Sequence, residues 1–261
     1  MNPLLALALL APLQAPQDPA KARLEGSPRH QEWIEIARGE RKLRCFAVYP
    51  EVKAKVQAVL VIHENKGLTD WVRSVADRLA EAGYLALAPD LLSGAGPEGG
   101  DSSAFASTDA ATKAIYGLEP AQVLADLDAV FERARDLAAC NGKVSVAGFC
   151  WGGGKSFEFA THRKDLAAAY VFYGSSPKDE ATLAGIACPV YGFYGENDGR
   201  ITTGVEGTAT AKEKLGKRFE PEIYPGAGHG FLRSGGASDA PAQDKAAMEQ
   251  AWERWKKLLQ G

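Results

Sequence analysis

Three residues that could cooperate in nucleophilic catalysis each follow a predicted strand in this 261-residue chain, and the first is Cys150. Cys150 lies in Gly148-Phe149-Cys150-Trp151-Gly152, a Gly-x-Cys-x-Gly pattern after the apolar run 144–147. This pattern is typical of a nucleophile elbow, with sulfur in place of the commoner serine oxygen. Flanking glycines permit close backbone approach, and the N-terminus of a following helix favours the thiolate. The alternative is a small buried hydrophobe beside a glycine-rich turn.

Asp198 and His229 could complete a catalytic set with this cysteine. The chain order nucleophile, acid, histidine is the one used by the α/β-hydrolase architecture. We expect His229, between Gly228 and Gly230, to take the thiol proton, and Asp198 to orient and stabilise its imidazole. Glu196 is the competing acid, but Asp198 lies farther beyond its predicted strand and is preferred.

An oxyanion hole needs backbone N–H groups where negative charge develops. The N–H of Trp151, directly after the nucleophile, can supply one. We expect Asn65 to supply the other, because it lies in the polar loop 63–67 after the apolar strand 58–62. His63 is interpreted as a packing residue at the end of that strand.

The elements that must position these residues alternate between strands and helices. Unbroken apolar runs such as 84–88 predict strands buried on both faces, and 119–139 predicts an amphipathic helix. Runs 31–37 and 42–49 alternate in β fashion around a turn, which predicts an antiparallel hairpin. The predicted fold is α/β, an α/β-hydrolase fold with a mostly parallel central sheet and helices on both faces. We expect a single domain over residues 21–261.

Two connections between these elements carry predictions of their own. Residues 93–107 are rich in Gly, Ser and Pro and form the one long irregular connection, which indicates a lid or binding loop. Asn141-Gly142 is predicted to end the 119–139 helix before the elbow strand begins.

Composition argues against several classes of function. Formal net charge is −3, with 30 basic and 33 acidic residues and no basic stripe, so nucleic acid is not an expected partner. The four cysteines and four histidines have no metal-ligand spacing, so neither a metal site nor a disulfide-stapled fold is expected. Three of the cysteines are interpreted as packing residues: Cys45, Cys140 and Cys188.

The first twenty residues stand apart from the rest of the chain. Residues 4–10 are an apolar Leu/Ala run, followed by a small-residue zone near Ala15 but preceded by no basic segment. The run is too short to span a membrane and predicts a signal peptide, hence a periplasmic or secreted protein with no stable membrane insertion. The alternative is a disordered extension on a cytoplasmic protein. A monomer is the expectation, although nothing in the sequence fixes the oligomeric state.

Several motifs in order resemble the dienelactone hydrolase family, cysteine hydrolases of the α/β-hydrolase fold. They are the elbow Gly-Phe-Cys-Trp-Gly-Gly, the loop His-Glu-Asn-Lys-Gly, Pro-Asp-Leu after the next strand, and His229 with Arg233 four residues later. The resemblance runs from about residue 30 to the C-terminus. It implies a cofactor-free hydrolase that cleaves lactones or small carboxylic esters, with Cys150, Asp198 and His229 as its triad.

The resemblance also assigns two further residues. Glu64 matches the glutamate that pairs with the catalytic thiol, and Arg233 matches one of two arginines that bind the substrate carboxylate. The second arginine should follow Asp90-Leu91, where this chain has Leu92-Ser93-Gly94. Because of this departure, a different or uncharged ester is equally open as the substrate.

Two other functions remain open from the sequence. The same site could act as a thioesterase or acyltransferase if the 93–107 loop excluded water from the acyl-enzyme. A non-catalytic binding protein could also retain the fold, because a fold alone does not guarantee activity.

Overall fold

The computed structural model describes residues 18–261 as alternating strands and helices. The strands are β1 (Gln31–Arg38), β2 (Arg41–Val48), β3 (Val56–Ile62), β4 (Leu85–Pro89), β5 (Cys140–Phe149), β6 (Ala169–Phe172), β7 (Val190–Gly195) and β8 (Phe219–Tyr224). The helices are α1 (Pro19–Glu25), α2 (Asp70–Glu81), α3 (Thr108–Tyr116), α4 (Pro120–Asp136), α5 (Trp151–His162), α6 (Glu180–Ala184), α7 (Gly199–Thr202), α8 (Val205–Lys214), α9 (Phe231–Ser234) and α10 (Ala242–Leu259).

The strands form one eight-stranded sheet in the order β1-β2-β4-β3-β5-β6-β7-β8. β1 and β2 pair antiparallel, as do β2 and β4, and the remaining neighbours pair parallel. The predicted α/β-hydrolase fold, with its antiparallel N-terminal hairpin, is confirmed. Because β3 to β8 run parallel, their carboxyl ends meet at one edge of the sheet, where ligands bind in such folds.

Helices cover both faces of the sheet because the strands are apolar on both sides. Along β3, Ala58, Leu60 and Ile62 pack on the face covered by α4 and α5. The alternate residues Val59 and Val61 pack on the face covered by α2 and α10. This two-sided burial explains why the β3 sequence is an unbroken apolar run.

Three local features differ from the sequence prediction. Asn141-Gly142 lies inside β5, because pairing with β3 begins at Cys140, with a register shift between Val56 and Ala58. The helix α3 was not predicted. The 93–107 connection contains two short 3-10 turns and is anchored by Ser102, which donates through its Oγ to the Asp90 carboxylate at 2.6 Å.

The predicted leader lies mostly outside the described residues, and its cleavage zone near Ala15 lies wholly outside them. Residues 19 and 20 of the predicted segment begin α1. That helix is tied to α2 by Asp77, whose carboxylate is fully buried and binds Arg23 at 2.7 Å. The same carboxylate accepts hydrogen bonds from Arg29 at 2.8 and 2.9 Å. The first described helix is therefore part of the packed fold.

Candidate active site

Cys150 is the junction between β5 and α5. It has φ 55° and ψ −114°, a left-handed backbone conformation that is strained for any residue with a side chain. A Cβ on Gly148 would lie 1.9 Å from the Gly152 carbonyl oxygen, and one on Gly152 would lie 2.3 Å from the His63 oxygen. The turn closes only because glycine occupies both positions. It presents a half-buried thiol at the N-terminus of α5.

Asp198 and His229 meet at the same edge of the sheet, from the ends of β7 and β8. The His229 Nδ1–H donates to Asp198 Oδ2 at 2.5 Å, and the aspartate is buried. The neighbouring Cys150 side chain is the main cause that raises the pKa of His229 to about 9; burial opposes the rise and Asp198 adds to it. The imidazole is therefore hydrogen-bonded to Asp198 and is influenced most strongly by Cys150.

Glu196, the competing acid, has a different role in the structure. Its Oε2 accepts a hydrogen bond from the Gly226 N–H at 2.8 Å, which braces the loop after β8 against the loop after β7. Asp198, and not Glu196, therefore contacts the imidazole.

Trp151 and Asn65 flank the elbow from two strand ends. Trp151 is the first residue of α5, so its N–H lacks an intrahelical partner. Asn65 lies half-buried in the turn after β3. These are the places from which two backbone N–H groups could approach an oxyanion beside Cys150.

His63 packs at the end of β3 and joins three segments around these amides. Its Nδ1–H donates to the Glu64 carbonyl at 2.7 Å, and its Nε2 accepts from the Leu91 N–H at 3.3 Å. The ring stacks on Trp151 with centroids 5.6 Å apart. Burial lowers the pKa of His63, which favours the neutral imidazole that this pair of hydrogen bonds requires.

Glu64 and Arg233, which the family resemblance assigns to the thiol and to the substrate, bind each other here. The Arg233 Nε–H donates to Glu64 Oε2 at 2.8 Å, and the carboxylate side chain is only 7% exposed. Gly230 lies beside the pair: a Cβ there would be 3.4 Å from an Arg233 Nη and 3.9 Å from Glu64 Oε1. The positive charge of Arg233 is therefore already matched by a carboxylate.

Tyr173 belongs to the same neighbourhood and was missed by sequence reasoning. It follows β6, has φ 40°, is fully buried, and packs edge-on against His229 with ring centroids 5.2 Å apart. Its hydroxyl has no hydrogen-bond partner within residues 18–261. Burial, with the nearby charges of Glu64 and Cys150, raises its pKa well above the ordinary value, so the hydroxyl remains a donor. Its position at a strand end, like the others, was the available signal.

A cavity of about 570 Å³ opens beside the cysteine. One wall is mostly apolar and comes from the end of α3 and the start of α4: Ile115, Tyr116, Leu118 and Pro120. The rest of the lining includes Cys150, Trp151 and Tyr173, together with Ser175, Ser176, Arg200 and Ile201. The wall facing the thiol thus comes from residues 115–120, not from the predicted lid at 93–107.

Comparison with known proteins identifies the family of this chain. Residues 43–261 match the dienelactone hydrolase family. The chain belongs to that family. The chain is 31% identical over 251 residues to a protein of Saccharolobus solfataricus named "Putative carboxymethylenebutenolidase", covering 84% of this chain and 93% of that one. A protein of the same name from Escherichia coli K12 is 33% identical over 207 residues, 75% of this chain and 73% of that one.

Solved structures place this dienelactone hydrolase family member among the same relatives. A structure titled "Putative Dienelactone Hydrolase" from Klebsiella pneumoniae has a TM-score of 0.76 and 26% identity, covering 88% of this chain and 98% of that one. A dienelactone hydrolase-like promiscuous phosphotriesterase from metagenomic libraries has a TM-score of 0.75 at 23% identity, which shows the shared fold; the match covers 89% of this chain and 98% of that one.

This family member lacks a cation where the resemblance places a second arginine. Leu91, Leu92 and Ser93 after β4 are all buried. Ser93 Oγ instead donates to the Asp90 carbonyl at 2.6 Å and accepts from the Arg44 N–H at 3.0 Å. In residues 18–261, no cluster of three His, Cys, Asp or Glu side chains could hold a metal ion, and no helix is long and apolar enough to cross a membrane.

Proposed function

We propose that this protein hydrolyses lactones or small carboxylic esters through Cys150, His229 and Asp198, with a thioacyl-enzyme intermediate. The observation that carries the proposal is the Asp198–His229 hydrogen bond at the same sheet edge as Cys150, whose side chain dominates the raised pKa of His229 and which lies on a strained elbow that lines the cavity. A binding protein has no need of a nucleophile, a base and an orienting acid in this order.

Acylation begins with attack of the Cys150 thiolate on the substrate carbonyl carbon. The carbonyl oxygen becomes an oxyanion, and the N–H groups of Trp151 and Asn65 are the donors proposed to stabilise it. The intermediate collapses when the C–O bond breaks, and the His229 imidazolium gives its proton to the leaving alkoxide. Asp198 stabilises the imidazolium throughout.

Deacylation returns the enzyme to its starting state. His229, now neutral, takes a proton from water as the oxygen attacks the thioester carbon. Collapse breaks the C–S bond, and the products are a carboxylic acid and the regenerated thiolate–imidazolium pair. For a lactone, acid and alcohol leave as one hydroxy acid.

Glu64 and Arg233 are proposed to act through their ion pair. In the resting enzyme Glu64 is also proposed to accept a hydrogen bond from a neutral Cys150 thiol. A substrate carboxylate close to the reacting carbonyl could bind Arg233 and displace Glu64, so that the thiol turns to His229 and gives it its proton before acylation begins. Arg233→Ala is then expected to raise KM for such substrates more than for neutral esters. Equal changes on both would leave Arg233 with a structural role.

The decisive experiment compares Cys150→Ala and Cys150→Ser with the natural protein on a chromogenic short-chain ester. We expect Cys150→Ala to lose roughly 10⁴-fold or more in kcat, with unchanged circular dichroism. Intact-mass spectrometry during turnover should detect the acyl adduct on the natural protein only. Full activity of Cys150→Ala would refute the proposal.

The same assay tests acyl transfer against hydrolysis. An added alcohol should not divert the acyl group if water is the natural acceptor. The 93–107 connection does not line the cavity, and the wall from residues 115–120 leaves the cavity open. Because water can then reach the acyl-enzyme, we propose hydrolysis. Products dominated by the transferred acyl group at low alcohol concentration would indicate a transferase.

Export through the N-terminal apolar run, a single domain over residues 21–261 and a monomeric state are also proposals. N-terminal mass spectrometry after native expression tests the first, because cleavage near Ala15 would leave α1 intact. One cooperative unfolding transition, and a mass of one chain by light scattering, test the other two.

A further inference from the structure

Of the two cations that line the cavity beside Cys150, Lys155 and Arg200, only Arg200 has no carboxylate bound to it within residues 18–261. Lys155 lines the same cavity but is bound by Glu158 at 2.7 Å, and Arg233 is bound by Glu64 at 2.8 Å. The Asp198 carboxylate, two residues before Arg200, is engaged by His229. Within residues 18–261, Arg200 forms no ion pair.

The position of Arg200 makes this free charge available to a ligand. Arg200 lines the cavity of about 570 Å³ that contains Cys150, and also an adjoining cavity of about 490 Å³. Ser175 and Ser176 border both cavities with it; the Ser176 hydroxyl donates to Thr208 Oγ1 at 2.6 Å, and Ser175 adds a hydroxyl to the lining. An arginine fork beside a hydroxyl is suited to bidentate recognition of a carboxylate.

The two arginines would serve different substrates. The charge of Arg233 is already matched by the buried carboxylate of Glu64, whereas Arg200 has no ion-pair partner within residues 18–261. Arg233 borders a different hollow, between α1, α2 and α9, and is absent from the wall of the cavity beside the thiol. Arg200 also borders the adjoining cavity, which Cys150 does not line, so a carboxylate bound there would lie toward the end of the site away from the thiol.

We infer that Arg200 is a distal carboxylate subsite, and that the preferred substrates are esters or lactones with a carboxylate at the far end of a short apolar chain. This inference rests on the proposed function. The family motifs in the sequence assign no role to Arg200. Arg200 would supply a second substrate-binding cation, which this chain lacks at the position directly after Leu91.

The test pairs nitrophenyl monoesters of six- to eight-carbon dicarboxylic acids with the neutral alkanoate esters of equal length. A second series carries the carboxylate on the alcohol side. In at least one series, Arg200→Ala should lower kcat/KM for the carboxylate esters about tenfold, mainly through KM, and change the neutral esters by less than twofold. Arg200→Lys should recover part of the loss, because charge is kept and the planar fork is not.

Salt provides a readout that a structural role would not move. The preference of the natural protein for the carboxylate esters should shrink between 20 and 500 mM sodium chloride, and Arg200→Ala should remove that dependence. Arg133→Ala is the matched control, because Arg133 is an exposed arginine of α4 that does not line the cavity. This variant should behave like the natural protein.

Failure of this inference is distinguishable from failure of the proposed function. Cys150-dependent hydrolysis with no effect of Arg200→Ala in either series would overturn the Arg200 subsite and leave the hydrolase intact. A carboxylate preference lost in Arg233→Ala but kept in Arg200→Ala would also overturn it. If no ester were turned over, calorimetric titration with adipate would still test the subsite. Adipate should bind the natural protein more tightly than Arg200→Ala. Equal affinity for the two proteins, or no binding to either, would refute the subsite.

Discussion

The steric demand of the elbow can be tested at Gly148, one residue before Phe149 and two before the nucleophile. Gly148→Ala adds one methyl group to β5. That Cβ would lie 1.9 Å from the Gly152 carbonyl oxygen and 2.4 Å from its carbon, both backbone atoms of α5 that cannot turn aside as a side chain could. The strand and the helix must therefore move apart.

The size of the movement gives the expected loss. Real Cβ contacts essentially never fall below 3.0 Å, so the two backbones must separate by about 1.1 Å. A displacement of about 1 Å at a reacting group costs on the order of 100-fold in rate. Overpacking of this kind also destabilises by about 1–3 kcal/mol. We expect Gly148→Ala to lose about 100-fold in kcat/KM and to unfold at lower urea concentration.

The assay measures kcat/KM on a neutral chromogenic ester, together with urea unfolding. Gly207→Ala is the matched control: Gly207 lies in α8, and its added Cβ would meet no atom within 4 Å. Because alanine favours helices, this control should keep full activity and gain about 0.5–1 kcal/mol. Gly148→Ala with kcat/KM within threefold of the natural protein and unchanged stability would refute the steric reasoning.

Three further predictions concern side chains around the site and at the N-terminal helix. The kcat/KM should decline as pH rises through about 9, where His229 loses its proton. Asp198→Asn should move this decline to lower pH, because Asp198 helps to raise the pKa of His229. A decline at the same pH in both proteins would contradict the role of Asp198 as the partner of His229. Tyr173→Phe should stabilise the resting protein by about 1 kcal/mol in thermal unfolding, because the deleted hydroxyl is buried without a partner; clear destabilisation would indicate a hidden one. Asp77→Asn should cost about 3 kcal/mol in urea unfolding, because Arg29 loses its buried counter-charge; a change below 1 kcal/mol would contradict this role.

The strands of the central sheet could be predicted because burial on two faces leaves an unmistakable pattern. Helix α3 could not. It has only nine residues, and its apolar stripe is short and rich in alanine, with only Ala111 and Ile115 buried. Asn141-Gly142 was also misleading. The dipeptide usually marks a turn, but here strand pairing with β3 extends past it to Cys140.

At the site, position along the chain could be predicted and contact could not. Cys150, Asp198 and His229 each follow a strand, and parallel strands bring such residues to one edge. The Glu64–Arg233 pair joins residues 169 positions apart. Whether Glu64 binds Arg233 or the Cys150 thiol depends on side-chain geometry, which the sequence does not give. The free charge of Arg200 has the same origin, because it depends on which carboxylates other cations have already engaged.

The separation between elbow and cavity wall has a consequence for how this enzyme could change its substrate range. Around Cys150, backbone packs against backbone through Gly148 and Gly152, so mutations there are penalised. The wall of residues 115–120 sits at the junction of α3 and α4, and Tyr116 in it is 64% exposed. Ile115 and Leu118 pack in one cluster with Trp151, so the exposed Tyr116 is the position at which variation can reshape the cavity with least effect on the nucleophile. A combinatorial library centred on Tyr116 is therefore the economical place to look for new specificities, by natural drift or in the laboratory.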